Sequence, residues 1–167
     1  MIVLGVDPGT LCTGYAFLED RRGQADAAGK SGRIQVLEYG TIRNRPADSL
    51  PGRLEKIHRE LKALMETYKP AHLALETIFF AKFARSALVL GHARGAVMVA
   101  AQSLGIAVAE YAPRLVKQAT VGTGSASKER VATLIQSHLQ LKKPPKPADA
   151  ADALAIAFCH LIQAKRH

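Results

Sequence analysis

The sequence predicts an α/β protein: a mixed five-stranded sheet, three antiparallel strands followed by parallel crossovers, with helices on both faces. Three observations predict it. An uninterrupted apolar run opens the chain, two further strand-like segments follow before any helical period begins, and from there helical and strand segments alternate. Strands joined by a short connection pair antiparallel, whereas strands separated by a helix join through right-handed parallel crossovers.

The elements follow in order. Ile2-Val3-Leu4-Gly5-Val6 is apolar throughout, as expected of a strand buried on both faces, and Asp7-Pro8-Gly9-Thr10 is turn chemistry that ends it. Residues 15–19 and 34–42 read as two more strands. They flank residues 20–32, a polar, glycine-containing, basic stretch expected to be a mobile hairpin loop. Leu50, Leu54, Ile57, Leu61, Leu64, Met65 and Tyr68 recur at helical spacing, and Lys69-Pro70 stops that helix. Residues 72–76 form a short strand, residues 84–104 a long helix rich in Ala, Leu and Val, and residues 106–111 another apolar strand. Pro113 suits the first turn of the next helix. Residues 121–125 are a glycine-rich break, after which Ser125 or Ser127 caps a helix carrying Val131, Leu134, Ile135 and Leu139. Residues 142–147 hold three prolines and three lysines, an extended basic linker. The last helix is expected from Asp149 to about Lys165.

Nothing in the composition marks a second domain, so residues 1–167 read as one. Twenty-three Lys and Arg against fourteen Asp and Glu leave +9, with a pI near 9.8. That excess favours a polyanionic partner, because each phosphate neutralised releases counterions, although a basic surface can also serve solubility alone. Aromatics are 5% and tryptophan is absent, which argues against a long stacking platform for single strands. No apolar run approaches the ~20 residues of a membrane span, and the amino terminus lacks the basic lead-in of a signal peptide. Cys12 and Cys159 match no zinc spacing, and nothing suggests secretion; the expectation is a reduced, cytoplasmic protein.

Four carboxylates stand out. Asp7 ends the most hydrophobic strand, although an aspartate before Pro-Gly also forms turns. Glu76 ends His72-Leu73-Ala74-Leu75 and precedes Thr77-Ile78-Phe79-Phe80. It is either a surface strand end or a partly buried charge that needs a cation. Asp149 and Asp152 open the last helix, where an aspartate cap with an acid three positions on would stabilise the helix terminus. The same spacing puts both carboxylates on one side of the helix, ~60° apart, among small alanines. Together the four have a specific chemical sense. Phosphodiester hydrolysis needs a nucleophilic water and a stabilised leaving oxygen. Two divalent ions ~4 Å apart supply both when hard oxygen ligands hold them. Acids at two strand ends and one helix start can converge at one edge of a sheet.

These residues resemble the RuvC family of Holliday-junction resolvases over nearly the whole chain. Gly5-Val6-Asp7-Pro8-Gly9-Thr10 with Thr13-Gly14-Tyr15 is similar to the family's opening. Its central segment is matched by Leu75-Glu76 and Phe79, then Ala81-Lys82, Ser86-Ala87-Leu88, Gly91 and Ala93-Arg94-Gly95. Its basic segment is matched by Tyr111-Ala112-Pro113 with Val116-Lys117-Gln118, and by Val121-Gly122-Thr123-Gly124-Ser125-Ala126 with Lys128. Asp149-Ala150-Ala151-Asp152-Ala153-Leu154 is similar to its closing acidic helix.

The resemblance implies a ribonuclease H-like fold and a magnesium-dependent homodimer, with two ions per site and manganese able to substitute. Its two active sites would cut opposite strands of a four-way DNA junction and leave ligatable nicks. Asp7, Glu76, Asp149 and Asp152 would then be the catalytic, metal-binding carboxylates. Phe79 would pack against unstacked bases, and Lys82, Lys117 and Lys128 would bind DNA. The implied partner is a junction-binding and branch-migrating helicase complex of the RuvA and RuvB type. Phe83 and His92 stand where Asn and Gln are expected. The loop 20–32 is longer than usual and, with its flank, adds Arg21, Arg22, Lys30 and Arg33. Both departures bear on substrate contacts rather than on the acids.

Three residue-level points stand beside the resemblance. Lysines act as flexible point charges for phosphates, although either Lys117 or Lys128 could simply be solvated. Phe79 and Phe80 cannot both face inward on an extended segment. The helix 84–104 is apolar nearly all round, which predicts burial against its own sheet and against a twin subunit.

Two rivals remain. Asp-x-Gly-Thr after a buried strand also resembles the phosphate-binding turn of the actin and sugar-kinase superfamily of ATP-using proteins. Those need two such domains, and Gly124-Ser125-Ala126-Ser127-Lys128 is no P-loop. A non-catalytic DNA-binding module would explain the charge but not the four acids.

Overall fold

The computed structural model of the chain describes residues 1–23, 32–77 and 84–164. Five strands, β1 (Ile2–Asp7), β2 (Cys12–Asp20), β3 (Ile34–Arg43), β4 (His72–Glu76) and β5 (Ala107–Tyr111), form one sheet in the order β3-β2-β1-β4-β5. β1 to β3 pair antiparallel, and β1–β4 and β4–β5 pair parallel. The helices are α1 (Leu50–Tyr68), α2 (Ala84–Gln102), α3 (Pro113–Val121), α4 (Lys128–His138) and α5 (Ala148–Gln163). The architecture is the mixed sheet expected of a ribonuclease H-like fold.

Alternation along β1 divides the core in two. Leu4 and Val6 join Phe17, Ile57, Leu61 and Leu73 beneath α1 and α2. Val3 points the other way, into a core with Val116, Ile135, Leu154 and Ile156 from α3, α4 and α5. Between these layers β1 is covered on both faces, which is why its sequence does not alternate.

α5 lies unusually close to the sheet. A Cβ on Gly5 would overlap the backbone of Ala153 and Ala157, and one on Gly14 would overlap the carbonyl of Asp149. The alanines of α5 serve the same approach, since Ala150, Ala153 and Ala157 are fully buried. This close packing brings the start of α5 against the end of β1, where Asp7 pairs with Gly14.

Several local expectations are refined. β2 begins at Cys12, ahead of the expected residue 15, because Cys12, Thr13 and Gly14 already pair with Arg43, Ile42 and Thr41. Those three residues are polar or small, so they carry no apolar alternation. Ser127, not Ser125, caps α4 by accepting from Arg130 N at 3.3 Å. α5 begins at Ala148 with Pro147 at the cap position and no side-chain cap, so Asp149 lies inside the first turn and is not the cap. Lys69 takes a left-handed conformation (φ 48°) and closes α1 before Pro70, as expected.

Residues 24–31, the greater part of the expected hairpin loop and including Lys30, lie outside the described residues. The flanking arginines are engaged within the chain. Arg21 pairs with Glu19 at 2.7 Å, Arg22 pairs with Asp20 at 2.8 Å, and Arg33 bonds Gln140. On α2, Ala93, Val97, Ala100 and Ala101 are buried, while Leu88 (64% exposed) and Val99 (61%) face outward. No helix among the described residues is long and apolar enough to cross a membrane.

Candidate active site

Three of the four acids singled out from the sequence line one pocket. Asp7 arrives as the last residue of β1, Glu76 as the last residue of β4, and Asp152 from the second turn of α5. Lys117 from α3 and Lys128 from the start of α4 complete the polar lining, over an apolar floor that includes Val116, Val131 and Ile156. Parallel pairing of β1 with β4 sets Val6 beside Leu75, so both strands deliver their acids to the same edge of the sheet.

Asp149 stands next to this pocket. Its Oδ2 lies 3.2 Å from the Cys12 thiol, which donates to it, and its charge still reaches Asp7. Phe79 and Lys82 lie outside the described residues, as do Phe80 and Phe83. His92 is exposed on α2.

The pocket carries more negative charge than its surroundings accommodate. The Asp7 carboxyl is pushed up to about 7, first by burial, then by the charges of Asp152 and Glu76, with Lys128 opposing and Asp149 adding slightly. Glu76 is raised by burial and then by Asp152, against the pull of Lys128 and Lys117. The Lys128 ammonium answers part of this charge. It donates to Asp152 Oδ2 at 2.8 Å, and that hydrogen bond is the largest cause of its own raised pKa.

This donor set suits a hard divalent cation. Carboxylate oxygens are what magnesium and manganese accept, and a cation would relieve the repulsion that lifts Asp7 and Glu76. As they stand, no three acidic, histidine or cysteine side chains among the described residues are arranged to close on one ion. Lys128 holds Oδ2 of Asp152 and Cys12 holds Oδ2 of Asp149, so both oxygens of either acid could serve an ion only once those partners move. The pocket measures about 80 Å³, room for ions or two to three waters at ~30 Å³ each but not for a nucleotide.

Several residues that shape the site carry little signal in the sequence. Cys12 has no telling spacing and gains meaning only through its distance to Asp149. Gly14 belongs to a recognised motif, yet its reason, the approach of α5, requires the packed structure. Arg94 of α2, only 8% exposed, donates to the Glu76 carbonyl and pairs with Glu110 at 2.7 Å. It tethers the end of β4 from behind. A buried arginine in an alanine-rich helix is the one available signal.

Comparison with known proteins adds to this geometry. Residues 3–160 match the family model described as "Crossover junction endodeoxyribonuclease RuvC". The protein of that name from Syntrophomonas wolfei is 43% identical over 161 residues, covering 96% of this chain and 88% of its own length. Among solved structures, Thermus thermophilus RuvC superposes with a TM-score of 0.87 at 34% identity, covering 99% of this chain and 96% of that one. The T. thermophilus RuvC in complex with Holliday junction substrate gives 0.85 at 31% identity over the same shares.

Proposed function

This chain belongs to the RuvC family of crossover junction endodeoxyribonucleases, and we propose that it resolves four-way DNA junctions by paired, symmetric, metal-dependent phosphodiester hydrolysis at the pocket of Asp7, Glu76 and Asp152. The observation that carries this reading is the convergence of three acids, from two strand ends and one helix, beside two lysines in a chain of net charge +9. Magnesium is the proposed cofactor, two ions per site, with manganese able to substitute. Asp7, Glu76 and Asp152 would hold them, with Asp149 as the fourth ligand. Such ions, when bound, lower the pKa of a coordinated water and stabilise the leaving oxygen.

The chain's own residues do the rest. The ammonium groups of Lys117 and Lys128 face the acids and are the phosphate-holding charges for the scissile strand. Lys128 pairs with Asp152 at 2.8 Å. Transfer of that ammonium to a DNA phosphate would free Asp152 Oδ2 as a ligand, so strand arrival and ion binding reinforce each other. Arg94 steadies the Glu76 backbone, so the carboxylate at the strand end starts from a fixed point. Phe79 and Lys82 are assigned to the DNA near the crossover on the strength of the family motif.

Two copies are needed to cut two strands symmetrically. The outward Leu88 and Val99 of α2 supply an apolar face for a two-fold dimer, which also fits a two-fold substrate. A branch-migrating helicase complex of the RuvA and RuvB type is the proposed partner, and residues 1–167 act as one nuclease domain. Neither rival gains support. An ATP-binding module gives no role to Glu76 and Asp152 beside Lys128, and a non-catalytic DNA binder gives no reason to crowd acids against its own lysines.

The test is Asp7→Asn on a synthetic four-way junction. Binding is expected to survive, since a negative charge facing DNA has been removed, while magnesium-dependent cutting is lost. Retained cutting would falsify the assignment.

A further inference from the structure

The basic, proline-rich linker before α5 plays no part in the acidic pocket, yet it borders it. A groove of about 450 Å³ runs between the start of α4 and the segment 145–148, and it shares Lys128 and Asp152 with the acidic pocket. Its walls are apolar, formed by Ala132, Pro145, Pro147, Ala148 and Ala151. The two cavities divide in size. The acidic pocket is too small for a nucleotide, whereas the groove falls within the ~300–1,000 Å³ of small-molecule sites.

Four charges line the groove, and three are engaged. Lys128 pairs with Asp152. Glu129 sits in the first turn of α4, bonded to Ser127 and to its own backbone, where the helix dipole offsets its charge. Lys146 is the fourth. It is exposed, and no described residue pairs with it. Lys142 and Lys143 stand exposed on the same linker, and the apolar walls of the groove adjoin one ammonium, that of Lys146, left over when the other three lining charges are engaged. That combination suits a sugar and base held against small side chains, with their phosphate at a lysine.

We infer that this groove seats one nucleotide of the scissile strand immediately beside the phosphate that is cut, with Lys146 holding that nucleotide's phosphate. The inference rests on the nuclease reading and extends it. Lys146 is a binding residue for the substrate strand, and the groove positions the nucleotide that flanks the cut.

Two variants test it, with Lys62→Ala on α1, across the sheet, as the control. Lys146→Ala should reduce the slope of log affinity against log salt by about 0.7–0.9 on a four-way junction, because one fewer phosphate is neutralised. Lys62→Ala should leave the slope unchanged. Ala132→Trp fills the groove. On wild type, an abasic site on one of the two sides of the cut, 5′ or 3′, should slow cleavage about tenfold or more. Ala132→Trp should cut the intact junction at that reduced rate and show no further loss on the abasic one. Unchanged melting temperatures establish that both variants are folded. If wild type fails to cut junctions at all, the nuclease reading falls. If wild type cuts, while Lys146→Ala keeps its salt slope or Ala132→Trp keeps the full abasic effect, the groove is not a nucleotide seat.

Discussion

Gly14→Ala is the most searching perturbation of the site, because it replaces no acid. Gly14 is buried in β2 opposite Asp7, and the added methyl would sit inside the van der Waals shell of the Asp149 carbonyl. The obstructing atoms are backbone and cannot rotate away. α5 must therefore lift from the sheet by on the order of an ångström, and its first two turns carry Asp149 and Asp152. A misplacement of that size costs roughly 100-fold in rate when it separates groups that act together. Overpacking should also cost about 1–3 kcal/mol, lowering the melting temperature by roughly 3–10 °C. Single-turnover cleavage of a four-way junction in magnesium measures the first effect, and thermal unfolding measures the second. Junction affinity without metal should change little, since Lys117 and Lys128 lie on α3 and α4 and Lys146 precedes α5 on the linker. Cleavage at the wild-type rate would refute the claim that the packing of α5 on the sheet places the acids.

Two further predictions follow from charge. Lys117→Ala should weaken junction binding and lower its salt slope by about 0.9, the share of a single neutralised phosphate, measured by titration at several salt concentrations. The second concerns His160, which is 5% exposed, shares a 2.8 Å hydrogen bond with Tyr111 and has its ring 4.8 Å from that of His72, tilted by 38°. Burial, then His72, pushes it down to about 4 from 6.5. The unfolded chain therefore binds the extra proton first, so the stability from neutral His160 is intact above about pH 6.5 and lost between 6.5 and 4. The loss approaches about 3 kcal/mol. Asp7, raised to about 7, acts with the opposite slope, so the difference in denaturant unfolding between wild type and His160→Asn isolates the effect. Equal pH dependence in the two proteins would contradict it.

Much of the fold is legible because its signals are local. The apolar run 2–6, the helical period of Leu54, Ile57 and Leu61, and Pro113 at a helix start each act within a few residues. Boundaries shift where pairing rather than side-chain pattern decides them, as at Cys12–Gly14, or where two caps compete, as at Ser125 and Ser127. The acids are legible by type and by their places at element ends. Asp149 looks like a cap in the sequence because acid spacing at a helix start is the same for a cap and for a ligand pair. Only the backbone around Pro147 separates the two.

Residue order therefore specifies the sheet, its strand directions and the four carboxylates worth watching. Which of them share a cavity is a matter of the packed chain. Asp7, Glu76 and Asp152 meet because two parallel strands end at one edge and because Gly5 and Gly14 let α5 close against them. The link between Asp149 and Cys12, the brace from Arg94 to Glu76 and the groove at Lys146 belong to the same class. The first joins groups 137 positions apart and the second groups 18 apart. Distances of that kind are set by how whole elements pack rather than by any preference of the residues themselves.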